Sequence, residues 1–323
     1  MRSRKVKHRL IRASLRYVDP FFSLLVYPAA LVMKIIRFRI GRMPFCKRAL
    51  LRAGVFPLVN HYYEPLFDPR ALRYPLDQDR NLIGIDWNVE QQLQLLTQFT
   101  FNNELVVIPE EKKGVVFQLD NISFGAGDFE LLYNMIRLKK PKRVLEIGSG
   151  HSTIVASRAI SRNASEHQEY RCRHTCIEPY EMPWLEEMEK VTVLRELVEN
   201  VDKSVFLELE EDDILFIDSS HVIRPQGDVL FEYLEILPSL KRGVIVHVHD
   251  IFSPRDYPKK WIIENVRFWN EQYLVEAFLI GNRNWKILAA LNYLKHHHFE
   301  LLRSKAPFLE VTAEPSSLYI QKI

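Results

Sequence analysis

The chain has 323 residues, of which 47% are hydrophobic and 26% charged, a composition that excludes a disordered or fibrous protein and supplies ample apolar surface for a large core. Its three cysteines, Cys46, Cys172 and Cys176, exclude a disulfide framework and a Cys-x-x-Cys zinc ribbon, and suit a reducing compartment. The net charge of +3 conceals a division, because residues 1–63 carry 14 Lys and Arg against the single acid Asp19, while residues 64–323 carry 30 basic and 40 acidic residues.

The basic segment opens MRSRKVKHRLIRASLRY and runs into an apolar stretch from Pro20 to Met33, broken by Pro28 and followed by Lys34, Arg37 and Arg39. No small-residue cleavage site follows, so the sequence disfavours an export signal, and 14 apolar residues fall short of the roughly 20 that a spanning helix needs. Residues 1–53 therefore read as a basic helical extension that touches a membrane surface peripherally or packs on the rest of the protein. Nucleic acid is not expected, since the cations alternate with aliphatic side chains and not with a stacking platform of aromatics. Residues 54–120 read as a Pro-rich and aromatic connecting, lid-like segment, with a helix after Asp86.

From residue 121 to 323 short apolar strands alternate with helices. RVLEI, HTCIEP, VTVLREL, DILFIDSS and GVIVHVHDI are the strands; DFELLYNMIRLKK, STIVASRAI, MPWLEEMEK, KSVFLELEE and GDVLFEYLEILPSLK are the helices between them. This alternation predicts an α/β, Rossmann-like, doubly wound and mostly parallel seven-stranded sheet with helices on both faces, whose ligands bind beyond the carboxyl ends of the strands. The tail reads as one long helix, KKWIIENVRFWNEQYLVEAFLIGN, followed by two closing strands in NWKILAALNYLK and SSLYIQKI.

The first strand ends Glu146, Ile147, Gly148, Ser149, Gly150, with Ser152 and Thr153 opening the next helix. Glycines there let the backbone approach a ligand, and either hydroxyl can cap the helix. A dinucleotide turn needs a third glycine where Thr153 stands, and a Glu146 carboxylate aimed at the ligand would repel a diphosphate and favour a cationic amino acid.

Glu-x-Gly-x-Gly at this position resembles the first motif of the class I S-adenosylmethionine-dependent methyltransferases. HYYEPLF, GIDWN, LYNMIRLKKPKRVLEIGSGHST, LFIDSSHV and HVHDIFSPRDYP together resemble a methyltransferase-24-like bacterial group over about residues 60–323. The resemblance implies S-adenosyl-L-methionine as cofactor, bound by Glu146, Gly148, Ser149, Gly150, Ser152, Glu178 and Asp218, with Glu178 accepting the ribose hydroxyls. It also implies a cytoplasmic enzyme that methylates a hydroxyl of a glycan or small metabolite.

The fourth strand ends in Asp218 with His221 just beyond, and the fifth sends His247 and His249 to one face and ends at Asp250. These groups resemble those of metal-dependent O-methyltransferases, which implies Asp218 and Asp250 as ligands of a divalent metal and His221 as general base. His249 departs from that pattern: a hard cation prefers a carboxylate there, so magnesium is disfavoured and His249 becomes a second candidate base. His247 reads as a sheet histidine and the triple histidine at 296–298 as a solvated helix face. Asp128 or Phe124 is expected over the methionine half, Glu199 or Asn200 at the adenine, and Arg255 and Tyr257 beside the acceptor. Two rival readings stand beside this one: a nicotinamide-dependent oxidoreductase, and a membrane-associated scaffold that keeps the cofactor fold without catalysis.

Overall fold

The computed structural model describes residues 2–106, 123–180 and 182–323, with side chains from Tyr17 onward. The end of the lid-like segment and the first residues of NISFGAGD lie outside the described residues. The chain divides into two compact units, Met1–Arg73 and Tyr74–Ile323, so the division falls inside the segment that the sequence assigns as a connection.

In the first unit one helix, Arg2–Arg39, runs through Pro20 and also through Pro28, where the sequence suggested a break. A turn at Ile40–Arg42 leads to a second helix, Pro44–Ala53, which stops at Gly54 in the left-handed conformation, φ 71°. The segment that follows folds back on the end of the long helix. Arg37 pairs with Glu64 and lies over the Phe56 ring at 5.1 Å, and Phe38 meets His61 edge-on.

The second unit is built on a seven-stranded sheet in the order β3-β2-β1-β4-β5-β7-β6. β1 (Arg143–Ile147), β2 (Arg173–Ile177), β3 (Val191–Leu194), β4 (Ile214–Ile217) and β5 (Ile245–Val248) are mutually parallel; β7 (Leu318–Lys322) inserts antiparallel between β5 and β6 (Trp285–Ala290). The strands are apolar at successive positions because both faces are covered. Leu145, Ile147, Leu215, Ile217, Val246 and Val248 face one core, whereas Val144, Ile214, Phe216 and Ile245 face the other. Each such side chain contributes about 1.5–3 kcal/mol on burial, so a charge introduced at Val246 would break the sheet's middle.

Helices Asp128–Lys139 and His151–Glu166 form as the periodicity predicts. Others shrink: MPWLEEMEK keeps only a 3₁₀ turn at Pro183–Glu187, and KSVFLELEE a single turn at Ser204–Leu207. The expected long helix of the tail is also divided, into a π-type turn at Lys260–Glu264 and a helix at Glu271–Leu279, with Val266 between them at φ 52°. Trp261 and Trp269 clasp Arg267 in that break, at 4.9 and 4.4 Å from the ring centres, an arrangement a continuous helix would not allow.

Candidate active site

At the carboxyl ends of β1, β2 and β4 lies a cavity of about 510 Å³, lined by the turn from Ile147 to Ser152, by Glu178 to Tyr180, by Val198 and Glu199, by Asp218 to Ser220 and by Phe124. Its size is that of a small-molecule site. The turn is fixed by backbone bonds to both neighbouring strands, from Gly148 N to Ile177 O at 3.0 Å and from Asp218 N to Ile147 O at 2.8 Å. Gly148 stands at φ +76°, and a Cβ there would sit 2.0 Å from the Asp218 carbonyl oxygen, so the glycine is required by the fold itself. Gly150 carries no such demand; its Cβ would make an ordinary 3.6 Å contact with Met182.

Glu146 is placed otherwise than the sequence suggests. Its carboxylate is 1% exposed and does not line the cavity. It accepts the hydroxyls of Ser152 at 2.7 Å and Thr153 at 3.1 Å and pairs with His174, tying β1 to the helix start and to β2. The apolar walls around β1 explain this: a carboxylate so deep must exhaust its lone pairs on nearby donors. The N-cap is Gly150 and neither hydroxyl; Thr153, at the third helical position, accepts from Gly150 N at 3.1 Å, the reciprocal bond of a capping box.

Glu178 does reach the cavity, held by backbone donors from Ser149 at 3.3 Å and Tyr180 at 3.0 Å. Ser149, Gly148, Gly150, Ser152 and Asp218 line it too. Glu199 also lines it, and its Oε2 is buried without a hydrogen-bond partner among the described residues, so it can receive a donor from an occupant. Asn200 does not line the cavity. Asp128 is turned away from it, accepting from the backbone of Ser316 at 2.9 Å and Ser317 at 2.8 Å. Arg255 and Tyr257 are structural as well: Arg255 pairs with Asp79 at 2.9 Å, and the fully buried Tyr257 hydroxyl accepts from Gln272 N at 3.0 Å.

At the ends of β4 and β5 the structure gathers Asp218, His221, His249 and Asp250. His221 Nε2 lies 3.2 Å from Asp218 and 3.5 Å from Asp250; His249 Nδ1 lies 3.5 Å from each of the same carboxylates. His221 and Asp250 both adopt left-handed backbone conformations, φ 59° and 60°. Such conformations concentrate where the surrounding structure holds a functional geometry.

The His221 ring is fixed from behind. Its Nδ1 donates to Glu271 at 2.8 Å, Glu271 accepts from the Tyr233 hydroxyl at 2.8 Å, and Trp269 lies against the imidazole with ring centres 4.3 Å apart. Glu271 is fully buried and comes from a helix fifty residues away in sequence, so no local pattern could have revealed it. Burial alone would lower the His221 pKa, but Asp218 and Glu271 override it and hold the imidazole well above the usual histidine value. His249 is raised for the same reason by Asp250 and Asp218. Against its own burial, Asp218 is held far below the usual carboxylate range by His249 and His221, whereas burial pushes Asp250 up. His247 is different in kind: buried, stacked on Tyr319 and bonded to Ser317 Oγ at 2.7 Å, it is kept neutral by burial and by His249.

The ligand atoms of Asp218, His221 and Asp250 all lie within 4.8 Å of one another, and neither ring nitrogen of His249 has a hydrogen-bond partner among the described residues, Asp128 standing 3.8 Å from Nε2. The Asp218 and Asp250 carboxylates, with His249 Nδ1 3.5 Å from each, fit a divalent ion and leave His221 Nε2 to take a proton; such an oxygen and imidazole set suits manganese, iron or zinc better than magnesium. Glu146, His174 and Cys176 also converge, but their contacts are accounted for by the buried lock beneath the turn.

Residues 145–251 match the family model described as a methyltransferase domain. A protein of Archaeoglobus fulgidus, uncharacterized by its own description, is 25% identical over 173 residues, 50% of this chain and 76% of its own length. Among solved structures, an O-methyltransferase from Bacillus cereus in complex with S-adenosylhomocysteine is 12% identical, with a TM-score of 0.38, covering 72% of this chain and 91% of its own. An O-methyltransferase from Streptomyces achromogenes involved in tomaymycin synthesis, in complex with S-adenosylmethionine, is 14% identical, with a TM-score of 0.36 and coverage of 71% and 89%. A TDP-rhamnose 3'-O-methyltransferase of calicheamicin biosynthesis is 14% identical, with a TM-score of 0.35 and coverage of 79% and 98%. The matched segment, about a third of the chain, contains the glycine turn, Glu178 and both ends of the acid and imidazole cluster.

Proposed function

We propose that the protein is an S-adenosylmethionine-dependent O-methyltransferase acting on a hydroxyl of a glycan or small metabolite, in the cytoplasm, where its three free cysteines stay reduced. The cofactor reading is supported by the cavity lining: in it the glycine turn takes the methionine half, Glu178 accepts two ribose hydroxyls, and Glu199 accepts from the adenine. Charge-assisted bonds of the Glu178 kind contribute about 1.5–3 kcal/mol.

The observation that carries the O-methylation reading is His221, with Nδ1 bound to Glu271 and Nε2 directed at Asp218 and Asp250. In the reaction the acceptor oxygen bonds to the methyl carbon as the carbon–sulfur bond breaks, and S-adenosylhomocysteine leaves. The hydroxyl proton passes to Nε2, and Glu271 stabilises the imidazolium that forms. A base so positioned contributes about 10²- to 10⁴-fold, and alignment of the acceptor with the methyl group adds more. A divalent ion held by Asp218 and Asp250 would make the acceptor hydroxyl more acidic. His249 lies close enough to the same two carboxylates to keep their charge balanced.

Calorimetric titration with S-adenosylmethionine, S-adenosylhomocysteine and NAD, with and without magnesium or manganese, tests this. Micromolar binding of both adenosyl ligands without NAD is expected. NAD binding alone would return the oxidoreductase reading, and binding without turnover over a broad acceptor panel would favour the scaffold.

A further inference from the structure

The helix Arg2–Arg39 carries an apolar surface that no described residue of its own unit covers. Phe21 is 66% exposed, Leu24 73%, Leu25 60% and Ile35 62%, and Tyr17, Leu31 and Val32 are exposed beside them. Residues spaced three and four apart share a helix face. Asp19, Ser23, Tyr27, Ala30, Lys34 and Arg37 follow that spacing and form a narrow, more polar stripe; Phe21, Leu24, Leu25, Leu31, Val32 and Ile35 fall on the opposite side.

We infer that this helix docks on an anionic lipid bilayer, lying in the headgroup region with its wide apolar side inserted. Charge favours that occupant, since residues 2–16 add seven Arg and Lys and no acid. Length argues against crossing. Tyr17–Arg42, at 26 residues, is apolar and long enough to span by composition. However, Asp19 and Lys34 enclose only the 14 residues of the apolar run, about 21 Å of helix against a hydrocarbon core of about 30 Å. Arg37 cannot supply the missing length, because it is tied to Glu64 of the folded unit.

Flotation of the full chain with vesicles tests this, comparing phosphatidylcholine alone with phosphatidylcholine containing phosphatidylglycerol. Binding to the anionic vesicles, at least about tenfold stronger than to neutral ones and weakened by salt, is expected. Alkaline carbonate should release it. The double variant Leu24→Glu with Leu25→Glu should lose flotation, with an unchanged thermal unfolding transition showing that the sheet domain still folds. Equal binding to both vesicles with resistance to carbonate would mean a spanning helix and overturn the proposal. Absence of flotation, with concentration-dependent dimers in sedimentation, would show that a second copy covers the apolar face.

Discussion

The two ends of the site are built on opposite principles. At β1 and β2 every deep charge is already spent: Glu146 is closed by Ser152, Thr153 and His174, and Glu178 is oriented by two backbone donors. At β4 and β5 charges face each other without being used up, with two imidazoles between two carboxylates and, among the described residues, no hydrogen bond to either His249 nitrogen. The first arrangement fixes a shape, which is what binding a constant ligand needs. The second holds protons and positive charge ready to move, which is what a reaction needs.

The sharpest way to break this contrast is at the seam between the two ends. Gly148→Ala drives a Cβ into the Asp218 carbonyl and should destabilise the domain by about 3 kcal/mol or more, with loss of cofactor binding. Chemical denaturation and titration check it, and a variant of native stability would show that the turn can move. His221→Ala should lower kcat by about 10²- to 10⁴-fold while leaving the cofactor Kd unchanged, which single-turnover kinetics and calorimetry can separate. Glu178→Ala should do the reverse, weakening cofactor binding by about 1.5–3 kcal/mol with little effect on the methyl-transfer step at saturation. If both variants lost binding equally while remaining folded, the division between the two ends would fall.

A smaller effect tests Glu271. Because the raised His221 pKa keeps the imidazole protonated near neutrality, its base form grows and the rate should rise as pH climbs above the ordinary histidine value of 6.5. Glu271→Gln removes a carboxylate that favours the protonated ring, so this limb should move to lower pH and kcat should fall by about tenfold. A purely structural role for Glu271 would lower activity without moving the pH profile.

The parallel sheet, the glycine turn and the strand ends that carry Asp218, His221, His249 and Asp250 could be read directly from the residue pattern. Those features are local, since apolar runs of five residues bounded by turns can hardly be anything but buried strands once helices alternate with them. What each polar group faces depended on the folded arrangement. Glu146 reads as a ligand group by position and is a buried lock by environment; Arg255 and Tyr257 read as acceptor contacts and serve as struts. Glu271, Tyr233 and Trp269 had no signal at all, because their meaning arises when the chain after β5 breaks at Val266 and brings Trp269 and the next helix against His221, where Tyr233 meets them from another helix. Periodicity records which side of an element is apolar, whereas the partner of a buried charge depends on contacts between residues far apart in the chain.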